Sequence, residues 1–320
     1  MSFQKILFTG ALALFAIIGV FAVVKKIVKT SKNPIVKAEN PLALANVGPQ
    51  VKTIDVSSSP LQIAGDFPDI DRVYQLFTTG PSKLPIVETV SYTSQVPWLK
   101  GRPAWLGDYA AYYGTSKHFI ARSLNGKPDY ENQKVSPDSR FNVFRKDRNF
   151  QFYLLVDVSL CKMGFYYVDL DTQERVLLKT YKVGLGKLSS SSSGSLTPLG
   201  KYTLGSKVAV YKPGVVGLYQ DKQVEMIRVF GTRWIPFDQS PEAKGYGLHG
   251  TPWEIDSSTH QLVDNRFGIG KYESNGSIYL GTEDMEELFA IIISKPATIE
   301  VVKHFKDAKL PGVEVATPMR

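Results

Sequence analysis

IGKYESNGSIYLGTEDMEELF, residues 269–289, is the stretch on which the reading of the fold turns. At its centre, SNGSIYL (274–280), a polar turn containing glycine leads into a short apolar run of β character. Such a turn presents a side chain at a tight corner. No strong nucleophile stands there. The residues that follow, Glu283 to Ile293, have helical period: Met285, Leu288 and Phe289 fall on the inward face, and Glu286 and Glu287 are expected on the solvated one.

Working outward, the chain from 151 onward alternates. FYLLVDVS and MGFYYVDL read as two strands joined by a short turn at 159–162, and RVLLKTYKV follows the Asp171-Thr172 turn. VGLGK (183–187), a Ser/Gly spacer (189–195), TPLGKYTLGSKVAVY, a strand-rich VEMIRVFGTRWIPF and GYGLHGTPW continue a β-rich domain with glycine at most corners. With 16 Tyr, 17 Phe and 43% hydrophobic residues among 320, the composition points to a mainly β protein with real cores.

The four blocks VGLGK (183–187), TPLGKYT (197–203), GYGLHGT (245–251) and 269–288 come in an order that resembles the L,D-transpeptidase, or YkuD-like, catalytic domain. The resemblance implies a β-sandwich with a cysteine nucleophile that forms acyl-enzymes on peptidoglycan stem peptides. His249 matches the family's catalytic histidine. Ser274, Asn275, Gly276, Ser277, Ile278 and Tyr279 stand where the family has Ser, His, Gly, Cys, Ile and Arg. The implied catalytic pair is therefore His249 and Ser277, with Ser274, Asn275, Gly276, Tyr279 and Gly250 around the substrate.

Three of these positions depart from the pattern, and each departure has a chemical consequence. A thiol of pKa about 8.5 becomes thiolate beside an imidazole, whereas a serine hydroxyl needs a general base during attack. His249 could be that base if it lies within hydrogen-bond reach. Asn275 keeps hydrogen-bonding capacity but carries no charge, and Tyr279 removes a bidentate carboxylate clamp. Backbone N–H groups around Gly276 could still form an oxyanion hole. Without the resemblance, Ser277 would be a turn serine and His249 a structural one.

Other candidate chemistry is thin. The single cysteine, Cys161 in SLCKMG, excludes an intrachain disulfide and a Cys-rich zinc site and is expected at a hairpin turn in a structural role. The four histidines (118, 249, 260, 304) lack paired ligand spacing, and His260 and His304 read as surface residues. No metal or organic cofactor is indicated. Ser159-x-x-Lys162 has the serine–lysine spacing of penicillin-binding enzymes but lacks their companion motifs. VGLGKL is too short for a dinucleotide loop.

Upstream, PAWLGDYAAYYGTSKHFIARSLNG (103–126) places Leu106, Tyr109, Ala110 and Tyr113 on one helical stripe closed by Gly114. Thr115 or Ser116 can cap a second helix carrying Phe119, Ile120 and Leu124, and the strand 141–144 follows a Pro-Asp-Ser turn. The pattern resembles a LysM domain, which implies binding of N-acetylglucosamine-containing glycans; its first strand is poorly marked. The alternative is a helical hairpin acting as a spacer. Before it, DIDRVYQLF reads as a short helix and LPIVETVSY as a strand of unassigned role.

The formal charge of +8 is concentrated at the N-terminus. Six lysines (5, 25, 26, 29, 32, 37) against Glu39 give residues 1–50 a balance of +5, leaving +3 for the other 270, so no basic nucleic-acid domain exists. Ile6 to Val24 is an uncharged apolar run spanning about 28 Å as a helix, close to a bilayer core, and is read as an uncleaved transmembrane anchor. The lysines after it would hold the bulk of the chain in the cytoplasm, whereas the resemblance implies the opposite side.

The expected organisation is a membrane anchor with basic flank (1–32), a linker and short irregular segment (33–97), a small α+β LysM-like module (98–146), an L,D-transpeptidase-like domain (150–305) and a tail (306–320). Expected partners are the glycan strand and stem peptide of peptidoglycan and the bacterial membrane, with no nucleic acid. The expected location is the cell inner membrane, single-pass, with the bulk periplasmic or extracytoplasmic. Three functions remain open, in this order: a non-catalytic or weakly active relative that binds stem peptides, an active transpeptidase using Ser277 and His249, and a hydrolase trimming stem peptides.

Overall fold

The computed structural model describes residues 67–125, 135–191, 194–205, 207–238 and 241–315. The apolar run 6–24 and the residues before 67 lie outside the described residues. Among the described residues, no helix is long and apolar enough to cross a membrane.

The first unit is built from α1 (Tyr74–Phe77), β1 (Val87–Ser91), α2 (Leu106–Tyr113), α3 (Lys117–Asn125) and β2 (Arg140–Phe144). Local signals set its helices. Gly114 ends α2 in the left-handed conformation at φ 58°, and Ser116 Oγ caps α3 by accepting the Phe119 N–H at 2.9 Å. The strand of unassigned role, β1, runs antiparallel to β2, with Thr89 opposite Asn142, so the unit has the order β-α-α-β. Fully buried Asn142 accepts from the Thr89 hydroxyl and donates to the carbonyls of Leu76 and Thr78, tying α1 to the sheet.

The second unit begins with three antiparallel strands, β3 (Phe150–Asp157), β4 (Lys162–Asp169) and β5 (Glu174–Lys182), followed by β6 (Leu185–Gly186), β7 (Gly200–Thr203) and β8 (Ala209–Val210). A hairpin of β9 (Val216–Tyr219) and β10 (Lys222–Glu225) leads to α4 (Ile227–Phe230) and β11 (Arg233–Pro236). Then come β12 (Gly247–Gly250), the hairpin β13 (Trp253–Ile255) and β14 (Leu262–Asp264), β15 (Tyr272–Ser274) and β16 (Ile278–Leu280). Helix α5 (Thr282–Ile292), β17 (Ala297–Val302) and β18 (Val313–Glu314) close the chain. The main sheet has the order β18-β5-β4-β3-β17-β7, and a second has β16-β12-β11-β8.

Both faces of the main sheet are covered, which is why its strands read as near-continuous apolar runs. Phe152, Leu154 and Val156 enter a core shared with Leu248, Ile278 and Leu280 of the second sheet and with Met285 and Leu288 of α5. Tyr153 and Leu155, one residue out of phase, pack on the other face with Phe67, Phe305 and Leu310.

Three expectations need correcting. Glu286 and Glu287 are not solvated. Glu287 accepts from Lys179 Nζ at 2.8 Å and from the Tyr181 hydroxyl at 3.3 Å, and Glu286 lies 3.5 Å from Arg233. The polar face of α5 meets ionised groups of neighbouring elements instead of water, and burial raises the Glu287 carboxyl against the pull of Lys179. Residues 227–230, expected among strands, form one helical turn because Met226, Ile227 and Phe230 share a face buried against Tyr211 and Trp234. His304 is half-buried, its Nδ1 3.1 Å from Ser159 Oγ.

Candidate active site

The turn at 274–277 is held by its own first serine. Ser274 Oγ donates to the Ser277 carbonyl at 2.6 Å and accepts the Gly276 N–H at 3.0 Å. That bond takes the Gly276 N–H out of any oxyanion hole, leaving Asn275 and Ser277 to supply backbone donors. Gly276 sits at φ 122°, and a Cβ there would meet the Tyr246 ring at 2.3 Å, so only glycine fits. Gly186 is equally constrained: its Cβ would stand 2.9 Å from Gly276 Cα. The VGLGK block is thus the surface on which the turn docks, reinforced by the Lys187 N–H donating to the Ser274 carbonyl at 2.9 Å.

Strand β16 runs parallel to β12, pairing His249 with Tyr279 and Leu248 with Ile278. Leu248, Ile278 and Leu280 face the core, so the alternation puts His249, Ser277 and Tyr279 on the opposite, cleft side. Tyr279 is the direct neighbour of His249. Ser277 directly precedes β16. All three line one cavity of about 400 Å³, together with Ser274 and Asn275. Gly250 and Gly276 are not among its lining residues.

The imidazole is oriented and buried. His249 Nδ1 donates to the Gly250 carbonyl at 2.7 Å, which leaves Nε2 as the acceptor. Phe230, Trp234 and Tyr279 surround the ring at centroid distances of 5.6, 5.8 and 5.6 Å. Burial pulls the histidine down to about 4, against the opposing effect of its bond to Gly250. Burial also pushes the Tyr279 phenol up to about 12.

Tyr279 is accommodated, not merely tolerated. A Cβ on Gly184 would stand 2.2 Å from its ring, and one on Gly268 would stand 1.6 Å from its hydroxyl. Two glycines far apart in sequence make the space for this one side chain. Cys161 is buried within the β3–β4 turn, where burial raises its thiol, and it does not line the cavity.

The cavity also contains residues that sequence reasoning missed: Lys187, Arg228, Phe230, Phe267 and Glu273. Lys187 and Glu273 lie inside the motif blocks and could have been suspected from that. Arg228 carried no signal, because its segment read as strand.

Residues 151–301 match the family described as YkuD, L,D-transpeptidase catalytic domain. No curated protein sequence matches the chain significantly. Among solved structures, the chain is similar to the helical cell shape determining protein Pgp2 from Campylobacter jejuni, at 14% identity and a TM-score of 0.34, over 51% of this chain and 50% of that one. It is similar to Bd1075 of Bdellovibrio bacteriovorus at 15% identity and a TM-score of 0.33, over 48% of each chain. An L,D-transpeptidase from Xylanimonas cellulosilytica gives 10% identity and a TM-score of 0.26, over 76% of this chain and 100% of that one. The chain spans about half the length of the first two.

Proposed function

With residues 151–301 forming an L,D-transpeptidase catalytic domain, we propose that the chain is a membrane-anchored, peptidoglycan-associated protein. On this reading it holds cell-wall stem peptides in the His249–Ser277 cleft and turns them over weakly or not at all. The state of His249 carries this reading. A serine nucleophile must hand its proton to a base as it attacks, and a catalytic base works best with a pKa near the working pH. An imidazole held at about 4 accepts a proton at pH 7 at a cost on the order of 4 kcal/mol. The loss of the Gly276 N–H to Ser274 weakens the site further.

One observation favours the alternative, an acyltransferase or carboxypeptidase using Ser277 with His249 as base. The bond from His249 Nδ1 to the Gly250 carbonyl fixes the tautomer that general-base chemistry needs. Incubating the full-length chain with disaccharide-tetrapeptide, followed by mass spectrometry, decides between them. The expected result is no crosslinked or trimmed product from the native chain and an acyl adduct from Ser277→Cys. A native product that disappears in Ser277→Ala would establish the alternative.

The remaining parts extend the same proposal. The β-α-α-β order of residues 87–144 supports a LysM-like unit for the glycan strand. Two sheets meeting in one core support the expected sandwich. The apolar run 6–24 would anchor the chain in the inner membrane with its bulk outside the cytoplasm.

A further inference from the structure

The cleft carries charges that acyl chemistry does not use. Lys187, Arg228 and Glu273 all line it. Lys187 directly follows β6, and its backbone is bonded to Ser274, so its side chain departs from beside the nucleophile turn. Arg228 lies on α4, the helix whose Phe230 ring is 5.6 Å from the imidazole, and lines the same cavity. Glu273 directly precedes Ser274. Lys187, Arg228 and Glu273 are exposed, and neither cation has an ion-pair partner among the described residues. Arg102, Arg145, Arg175 and Arg266, by contrast, are each engaged by a carboxylate.

A second observation sharpens this one. The slot beside His249 is filled by the uncharged ring of Tyr279, fixed by Gly184 and Gly268. A cation for an anionic ligand must therefore come from the walls. Two unengaged cations on different walls, with one carboxylate beside the turn, are complementary to a ligand of the inverse pattern.

Resting on the stem-peptide reading above, we propose that Lys187 and Arg228 together read carboxylates in this cleft while Glu273 receives a free ammonium. The ligand is then an acidic peptide with at least two carboxylates and one primary amine. Arg228 offers a planar fork for one carboxylate, and Lys187 a point charge for the other.

Calorimetric titration of the full-length chain with three probes tests this: disaccharide-tetrapeptide, its carboxyl-amidated form and its amine-acetylated form. Amidation is expected to weaken binding to the native chain about tenfold. Arg228→Ala and Lys187→Ala should each weaken the free acid about three- to tenfold and leave the amidated probe unchanged, and Glu273→Gln should affect only probes with a free amine. Equal binding of the free acid and the amidated form by the native chain overturns this inference and leaves the stem-peptide reading standing. A variant that weakens every probe equally overturns the role given to that residue. Binding of none of the probes removes both readings.

Discussion

His249 shows how one residue's surroundings decide its chemistry. The family resemblance implies that His249, in a glycine-rich GLHGT, is a base; burial among three rings pulls its pKa down to about 4. The same burial has a stability consequence. An unfolded histidine titrates near 6.5 and the folded one near 4, so between these values the unfolded chain binds more protons. The contribution is present in full above pH 6.5 and is lost as pH falls. The loss reaches on the order of 3 kcal/mol near pH 4. Urea unfolding midpoints measured from pH 4 to 7 should therefore rise with pH, and His249→Gln should flatten that slope.

Among elements, the decisive contact is the docking of the 274–280 turn and strand against VGLGK. Gly184 and Gly268 leave room for the Tyr279 ring, so added methyl groups act through that ring. Gly184→Ala is expected to cost about 1–3 kcal/mol by overpacking. In the Tyr279→Ala background most of that cost should vanish, giving a coupling of at least about 1 kcal/mol in a double-mutant cycle read by chemical denaturation. Additive costs would mean that the glycine is needed for its backbone alone. Element boundaries here were largely legible beforehand, since Gly114 and Ser116 mark α2 and α3 through local chemistry. The helical turn at α4 was not, because a four-residue helix has too little period to separate from a strand.

Across the whole molecule, the β-α-α-β unit shares a core with the unit that follows it. Phe119 and Phe144 belong to the same buried cluster as Phe152 and Phe289, and Ser116 Oγ donates to the Ala290 carbonyl in α5 at 2.6 Å. Such a junction predicts one unfolding transition for both units. Phe119→Ala should destabilise the full-length chain by about 3–5 kcal/mol, with circular dichroism and tyrosine fluorescence reporting the same midpoint. Separate midpoints would mean that the unit folds by itself on a flexible tether.

By itself, the sequence determined the three long strands that open the second unit, the helices α2, α3 and α5, and where glycine corners fall, while its resemblance to a family implied that His249 and the 274–279 turn belong to one motif. Those features are encoded locally, in side-chain period, caps and motif spacing. Only the tertiary structure decided that β1 completes the pairing with β2, that Tyr279 lies beside His249 between two distant glycines, and that Arg228 reaches the cleft. Each of these is a contact between residues far apart in the chain. Its free energy depends on shape and burial at the meeting point, which no local pattern records.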